Sequence, residues 1–307
     1  MDSQRASALR IVKFFYWRFH VELLKGKTMN KWLVTITGMA VAGAALAATS
    51  VESANIVGYQ AFNGYGNFNL TAITFEPING ETFTLADIKV NNAYDCGGDY
   101  ISVWNGGTKL YEAAYLSAAD AAQAAEDQGE EVVEGWYLTS AFDDWEFHAA
   151  DCKNADVLAK GKGIVFHRGT PSAALVYSGQ VQAQSEEFTG FGNFNITANT
   201  TAKQITLGEL KVNDSYDCGG DYISIWNGGT KLYEAAYLSA ADAAQAAEDQ
   251  GEEVVEGWYL TSAFDDWEFH AADCKNAEVL DPGKGFVFHR GTPGAGLIFP
   301  SPLAKSN

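Results

Sequence analysis

The sequence predicts a mainly β protein made of two tandem β-sandwich domains, each with one short, acidic, Ala-rich helix. Three observations support this fold class: short runs of β-branched and aromatic residues between Gly-rich turns, a long internal repeat, and one helical stretch in each repeat. Hydrophobic residues make up 47% of the 307 residues and charged residues 19%, which is typical of a globular chain and excludes a disordered one.

An internal duplication sets the architecture. Residues 94–171 and 216–293 align without gaps at an offset of 122 and differ at five of 78 positions. Upstream, GYGNFNLTA at 64–72 matches GFGNFNITA at 190–198. Any site in one copy therefore exists in the other, and the protein is expected to be bivalent. The five differences are Val103/Ile225, Asp156/Glu278, Ala159/Asp281, Lys160/Pro282 and Ile164/Phe286.

The repeat also predicts the domain boundaries. We expect residues 48–180 to form the first β-sandwich, residues 181–303 the second, and residues 304–307 a short tail. A hinge is expected near residues 179–187, where five polar side chains cluster: Gln182, Gln184, Ser185, Glu186 and Glu187.

Alternating aromatic and β-branched residues predict the strands of the first copy. The first of them ends at Asn105-Gly106-Gly107, which is a hairpin-type turn signal. The expected strands are 99–104, 108–114, 132–139, 142–148, 163–167 and 173–177.

One helix interrupts the strands. Residues 118–128 are strong helix formers, Ser117 begins a sequence that resembles a capping box, and Gly129 stands where a left-handed residue ends a helix. Residues 84–88 predict one short helical turn.

The first 47 residues differ in charge from the rest. Met29-Asn30-Lys31 is a short positive segment, an apolar run of about 15 residues follows, and Ala45-Leu46-Ala47 matches a cleavage site, so residues 29–47 predict a Sec-type signal peptide. We interpret residues 1–28 as a mis-annotated upstream extension of the gene; the alternative is an amphipathic extension. The mature chain is expected outside the cell, at its surface or in the periplasm, with no integral membrane segment.

The net charge of −19 excludes a protein that binds nucleic-acid phosphates through a basic face. Removal of residues 1–47, with seven bases and two acids, leaves 37 acids and 13 bases, a net charge of −24. Five acids crowd the end of the helix and the residues after it, where a calcium ion could relieve their repulsion, although ordinary solvation is an adequate alternative. They are Glu126, Asp127, Glu130, Glu131 and Glu134.

Three segments carry a resemblance to known proteins. ANIVGYQ at 54–60 follows the signal peptide, YISVW at 100–104 precedes GKGIVF at 161–166, and LVYSGQV at 175–181 closes the module. These segments resemble exported, largely uncharacterised β-sandwich module proteins of planctomycete–verrucomicrobial-type bacteria. The resemblance covers most of residues 50–300 and implies export and a β-sandwich fold. It implies no catalytic residue, and the acidic helix lies outside its pattern.

Each copy has two cysteines. In an exported chain an even number predicts disulfides, and the duplication favours pairing within a copy, Cys96–Cys152 and Cys218–Cys274. Each bridge would close a loop of about 57 residues and contribute roughly 4 kcal/mol. The alternative is a zinc site formed by Cys96, Cys152, His148 and His167, with its equivalent in the second copy.

Residues 142–148 offer a weaker metal candidate. If this segment is a strand, Asp144, Glu146 and His148 share one face, as do Asp266, Glu268 and His270 in the second copy. Two carboxylates and an imidazole suit a divalent cation. The alternative is a solvated outer face with Trp145 and Phe147 packed inward.

Aromatic and arginine side chains are the candidate ligand contacts. Trp104 stands at a strand end and Tyr137 is out of phase with its apolar neighbours, so both are candidate platforms for sugar rings; the alternative is a place in the core. Arg168, within Phe-His-Arg-Gly, is a candidate partner for a ligand carboxylate or sulfate, or for an internal acid. The equivalents in the second copy are Trp226, Tyr259 and Arg290.

No catalytic motif is present: the sequence lacks G-x-S-x-G, H-E-x-x-H, C-x-x-C and a P-loop. We therefore predict a non-catalytic exported protein that binds glycan or another extracellular surface polymer bivalently and requires no cofactor. One alternative is a structural component of a cell surface or matrix that self-associates with cations. The other is a carbohydrate-active hydrolase.

Overall fold

The computed structural model describes most of the chain from residue 56 onward. The predicted upstream extension, signal peptide and tail lie outside the described residues, as do Cys96 and Cys218. The described residues form five antiparallel sheets and four α-helices, so the mainly β fold class is confirmed. They are residues 56–64, 66–78, 81–94, 97–182, 184–215, 219–291 and 293–302.

The first copy contains one sheet of five strands and one of three. The five-stranded sheet has the order β2-β7-β4-β5-β6, and the three-stranded sheet has the order β1-β8-β3. The strands are β1 (Ile56–Phe62), β2 (Phe68–Ala72), β3 (Lys89–Asn91), β4 (Tyr100–Asn105), β5 (Thr108–Leu116), β6 (Gly135–Leu138), β7 (Gly163–His167) and β8 (Ala174–Val181).

The second copy repeats this topology. Its five-stranded sheet has the order β10-β17-β13-β14-β15, its three-stranded sheet β12-β18-β9, and β11 pairs with β16. The strands are β9 (Glu186–Phe188), β10 (Phe194–Ala198), β11 (Ile205–Thr206), β12 (Lys211–Asn213), β13 (Tyr222–Asn227), β14 (Thr230–Leu238), β15 (Gly257–Leu260), β16 (Val279–Leu280), β17 (Gly285–His289) and β18 (Gly296–Phe299).

The helices are short and similar in the two copies. The predicted helix of the first copy is confirmed at its expected bounds: Ser117 accepts a hydrogen bond from the Asp120 amide, and Gly129 ends the helix at a φ of 69°. The predicted helical turn is a 3₁₀ turn, Leu85–Asp87. The α-helices are α1 (Ala118–Gln128), α2 (Ser140–Asp143), α3 (Ala240–Gln250) and α4 (Ser262–Asp265).

The core of the first copy lies between its two sheets. Alternate residues of β4 point inward, so Ile101 and Val103 are buried beside Leu175 of β8. Trp136 of β6 is fully buried, and its Nε1–H donates to the Ile88 carbonyl at 2.8 Å. Because the buried indole N–H has a partner, the large ring adds apolar burial without leaving a polar group unpaired.

A second cluster covers the outer face of each five-stranded sheet at its β5–β6 or β14–β15 end. Small residues of α1, Ala121 and Ala124, pack on Leu116 and Tyr137, and Phe147 completes the cluster. The helix therefore protects one side of the outer sheet face.

The opposite side of the same face meets the other copy. Leu70 of β2 and Val165 of β7 form one apolar cluster with Ile196 of β10 and Val287 of β17. The backbones approach closely, since a Cβ added at Gly285 would lie 2.2 Å from the Leu70 carbonyl oxygen. The approach repeats with the copies exchanged, as a Cβ at Gly163 would lie 2.4 Å from the Ile196 oxygen. The contact thus has an approximate two-fold symmetry.

Several predicted strands differ from the structure. The predicted strand 142–148 is wrong: α2 occupies its first residues, and Trp145 follows at a φ of 55°, which no strand residue adopts. Strand 132–139 is shorter than predicted, whereas 108–114 and 173–177 extend to Leu116 and Val181. The division into two domains stays a prediction; the described residues of both copies lie in one compact unit.

Candidate functional site

The outer face of the five-stranded sheet carries a polar and aromatic group of side chains between the helix and the other copy. We call it the sheet-face cluster: Tyr100, Ser102, Lys109, Glu112 and His167. Ser102 on β4 lies opposite Glu112 on β5, and Tyr100 lies opposite His167 on β7. Ile101 and Val103 between them face the core, so strand alternation directs the cluster outward.

Hydrogen bonds fix the carboxylate of the cluster. The Ser102 hydroxyl donates to Glu112 Oε1 at 3.0 Å, and Lys109 Nζ donates to the same oxygen at 2.9 Å. Ser102 is buried, whereas about a third of the Glu112 side chain and nearly half of that of Lys109 are exposed. Both bonds end on Oε1, so they orient the carboxylate and leave Glu112 Oε2 available as an acceptor.

Aromatic rings form a row beside this network. His167 stacks on Tyr100 with a centroid distance of 4.1 Å and an interplanar angle of 9°, and Phe68 meets His167 edge-on at 4.6 Å. Phe68 is 37% exposed. The three rings occupy directly opposed positions on β2, β7 and β4, which makes the row a consequence of strand register.

The charge states of the cluster follow from its contacts. The hydrogen bond from Lys109 holds the pKa of Glu112 below its ordinary value, with Ser102 acting in the same direction against partial burial. Burial lowers the pKa of His167, and the nearby Glu112 opposes that shift. Burial also raises the pKa of Tyr100. At neutral pH the cluster therefore contains a carboxylate, a neutral imidazole and a neutral phenol.

The second copy reproduces the cluster. Ser224 and Lys231 donate to Glu234 Oε1 at 3.0 and 2.9 Å, and His289 stacks on Tyr222 at 4.1 Å. The unit therefore has two clusters with the same chemistry.

The predicted tryptophan platform stays a prediction, and the structure places its two rings at the contact between the copies. Trp104 and Trp226 are partly buried against the apolar cluster between the copies. The Nε1 atoms of both are buried without a hydrogen-bond partner in the part of the chain that the structure describes. A strand end predicts exposure for a single domain, but here that end meets a second copy.

The predicted platform at Tyr137 and Tyr259 is wrong, because both side chains are buried. Tyr137 is 3% exposed beneath the helix, and its hydroxyl donates to the Val133 carbonyl at 3.1 Å. Tyr259 is 2% exposed and donates to Val255 at 3.0 Å. Its phase does place Tyr137 on the outer face, opposite Ala114, but the helix covers that part of the face.

Arg168 and Arg290 donate hydrogen bonds within the fold, and their predicted role as ligand contacts stays a prediction. Arg168 donates to the carbonyls of Gly66 and Pro171 at 2.6 and 2.8 Å. Arg290 makes the equivalent bonds to Gly192 and Pro293 at 2.7 and 2.9 Å. Each guanidinium thus ties two loops of its own copy together.

The weak metal candidates do not form a site. The alternation that would align Asp144, Glu146 and His148 is absent because the segment is not a strand; Glu146 and His148 form an exposed pair at 3.6 Å. Glu268 and His270 repeat this distance near Asp266 in sequence. Within the described residues, no three His, Cys, Asp or Glu side chains come together as a metal site. Cys96 and Cys218 of the zinc alternative lie outside these residues.

The described residues contain none of the predicted disulfides. Cys152 and Cys274 are free thiols, while Cys96 and Cys218 lie outside the described residues. Cys152 packs on the helix cluster, and its backbone pairs with that of Tyr137. The sulfur is therefore partly buried, between apolar residues and the Tyr137 hydroxyl.

Part of the acidic group at the helix end has a structural role. Glu134 accepts a hydrogen bond from the Tyr115 hydroxyl and pairs with Lys89 at 3.2 Å. These contacts hold the pKa of Glu134 below its ordinary value. Lys89 is thus the counter-charge of Glu134 in the structure.

Sequence reasoning missed Ser102, Lys109 and Glu112. Polar residues alternating with Ile101 and Val103 on β4 mark its outer face, and the Gly106–Gly107 hairpin brings β5 back alongside it. That signal could have placed Ser102 opposite Glu112.

Comparisons with protein-family models, with curated proteins and with solved structures find no match. No helix in the described part of the chain combines the length and apolarity needed to span a membrane. The sheet-face cluster, not a relative, is therefore the basis for any functional conclusion.

Proposed function

We propose that the protein is an exported, non-catalytic binding protein and that its two sheet-face clusters bind hydroxyl-rich ligands, that is, glycans or similar surface polymers. The observation that carries the proposal is the aromatic row next to an oriented Glu–Lys–Ser network, present twice. Export rests on the signal peptide predicted for residues 29–47.

The chemistry of the cluster suits a sugar. The partly exposed ring of Phe68 offers an apolar face for the C–H groups of a pyranose. Glu112 presents a hydrogen-bond acceptor and Lys109 a donor within reach of the same surface. The hydroxyl groups of a neutral polyol can donate to Glu112 and accept from Lys109 without bringing a charge next to either side chain.

The same geometry argues against hydrolysis at this place. A glycosidase needs one carboxyl group that is protonated at working pH, and its pKa is usually raised. Glu112 instead has a lowered pKa because Lys109 and Ser102 both donate to it. It is therefore suited to accept a hydrogen bond and not to deliver a proton.

Bivalency follows from the duplication. Both clusters belong to one compact unit, so binding of the first to a polymer raises the local concentration of ligand at the second. A polymer with repeated epitopes is thus expected to bind far more tightly than a short oligosaccharide.

A glycan array with and without calcium tests the proposal. We expect wild-type protein to bind one class of polysaccharide, and the variant Tyr100→Ala plus Tyr222→Ala to lose at least tenfold in apparent affinity. Tyr59→Ala is the matched control, because Tyr59 is a 71% exposed tyrosine on β1, in the other sheet. Circular dichroism verifies that all variants fold.

Two results would overturn the proposal. Silence on every glycan would do so, and so would equal loss of binding in the Tyr59 control. Hydrolysis of an arrayed polysaccharide, abolished by Glu112→Gln plus Glu234→Gln, would replace binding by catalysis.

A further inference from the structure

We propose that Lys160 and Glu186 determine which copies of the repeat dock with each other, so that the contact accepts copy 1 against copy 2 and rejects two identical copies. The contact face comprises β2 and β7 of the first copy and β10 and β17 of the second. Its partner is a complementary copy of the same repeat.

The approximate two-fold symmetry creates two equivalent positions. Gln60 corresponds to Glu186 at the offset of 126, which also relates β2 to β10, and Lys160 corresponds to Pro282 at the offset of 122. Across the contact, Gln60 faces Pro282 and Lys160 faces Glu186. The two positions are therefore geometrically equivalent, but the residue pairs that occupy them differ in chemistry.

At one position the pair is ionic. Lys160 Nζ contacts Glu186 Oε2, and the two side chains are only 7% and 22% exposed. Burial raises the pKa of Glu186, and the charge of Lys160 opposes that shift. The charge of Lys160 therefore favours the ionised form of this carboxylate.

At the equivalent position the pair is neutral. Gln60 Nε2 donates to the Pro282 carbonyl at 3.1 Å. Close by, the Thr71 hydroxyl donates to the Gly283 carbonyl at 2.9 Å. An amide donor thus meets a carbonyl acceptor, and no charge is buried.

Identical copies would lose this complementarity. Two second copies would place Glu186 against the Pro282 carbonyl at both positions, which sets acceptor against acceptor with no cation. Two first copies would place Lys160 against Gln60 at both positions and remove its Glu186 partner. Since a buried charge without a counter-charge is strongly unfavourable, only the mixed pair is satisfied.

The apolar part of the face does not discriminate. Leu70 and Val165 are matched by Ile196 and Val287, which are apolar residues of similar size. The close approaches at Gly163 and Gly285 are also equivalent. Shape and apolar contact therefore permit any two copies to dock, and the polar positions select among them.

A cleavable full-length chain tests this proposal. A protease site is inserted between Gln182 and Ser185, the folded chain is cut, and isotopically heavy and light preparations are mixed. Urea is raised until heavy–light mixed pairs appear by native mass spectrometry, which shows that the copies exchange. We then expect copy 1–copy 2 pairs alone in the wild type.

Glu186→Gln is the informative variant. A glutamine at 186 can donate to the Pro282 carbonyl as Gln60 does, so we expect pairs of two second copies to rise at least tenfold. Glu187→Gln is the matched control: it removes the same charge from the next residue, which is exposed and accepts from Asn213 at 3.1 Å. It should leave the pairing unchanged.

The proposal is overturned if the cut wild-type copies separate at once or form identical pairs in statistical proportion. It is equally overturned if Glu186→Gln leaves the pairing selective, or if Glu187→Gln relaxes it to the same extent. These outcomes do not depend on ligand binding and so are independent of the proposed function.

Discussion

The two copies differ in their cores and at their contact, and the two kinds of difference have opposite consequences. In the cores, Phe83 and Ile164 of the first copy are replaced by Ile205 and Phe286 in the second. The exchange moves a phenyl ring from one position of the core to another and conserves total volume. The sheet order is unchanged, so the core constrains volume and not the identity of each residue.

At the contact, the differences change charge. Lys160 and Glu186 occupy positions that hold Pro282 and Gln60 in the other half of the contact. The Phe–Ile exchange in the cores thus leaves the repeat intact, whereas the charged residues at the contact make its two copies complementary. Substitutions can disrupt first the core that the copies share, then the contact between the copies, and finally smaller features.

The largest effect is expected from the shared core. Trp136→Ala and Trp258→Ala each remove a fully buried indole and its hydrogen bond to a backbone carbonyl. Each should lower the free energy of unfolding by about 4 kcal/mol, and the two values should agree within about 1 kcal/mol. Urea denaturation measures both. A loss below 1 kcal/mol in one copy alone would contradict the equivalence of the cores.

Gly285→Ala should break the contact between the copies. Its Cβ would lie 2.2 Å from backbone atoms of Leu70, which cannot yield as a side-chain tip does. We expect a loss of about 3 kcal/mol in the free energy of unfolding. Gly294→Ala is the control, since a Cβ there meets nothing within 4 Å. Equal stability of the two variants would contradict the close approach.

Cys152→Ser distinguishes a free thiol from a bridge. For a thiol packed in the helix cluster, we expect the substitution to cost about 1 kcal/mol, because a hydroxyl replaces a weakly polar group. Loss of a disulfide would cost roughly 4 kcal/mol. Alkylation of the unfolded wild type without reductant should label Cys152 and Cys274. Labelling that requires reductant would show that the predicted bridges form.

The smallest effect is expected from pH. Burial lowers the pKa of His167 and His289 below the ordinary value of 6.5, so the unfolded chain takes up protons first as the pH falls. Stability should therefore decrease as the pH falls through 6.5 toward 5.5. His167→Gln plus His289→Gln should reduce that decrease. A wild type that gains stability on acidification over this range would refute the assignment.

Local signals predicted the local elements well. Ser117 and Gly129 bound the helix because capping depends on the nearest residues alone, and Gly106–Gly107 turns β4 into β5 for the same reason. The strand expected at 142–148 failed because its alternation of acidic and aromatic residues also suits a loop. There, the Gln128 side chain of the helix donates a hydrogen bond to the Trp145 carbonyl at 2.8 Å, although the two residues are 17 positions apart in sequence.

The candidate site was predicted least well, because long-range packing decides which faces are exposed. Trp104 is at a strand end and Tyr137 on the outer face, as their phases indicate. The second copy partly covers Trp104, and a helix covers Tyr137. Neither contact can be read from the pattern of a single strand. What stays open between them is the strip that holds Glu112 and Tyr100.

The central claim is that the chain binds through two equivalent sheet-face clusters. The most direct test measures dissociation from the polysaccharide surface that gives the strongest array signal, with Tyr100→Ala, Tyr222→Ala and the combined variant side by side. We expect the two single variants to dissociate faster than wild type and by the same factor, and we expect the combined variant not to bind. Wild-type binding by the combined variant, or loss of binding in one single variant alone, would contradict it.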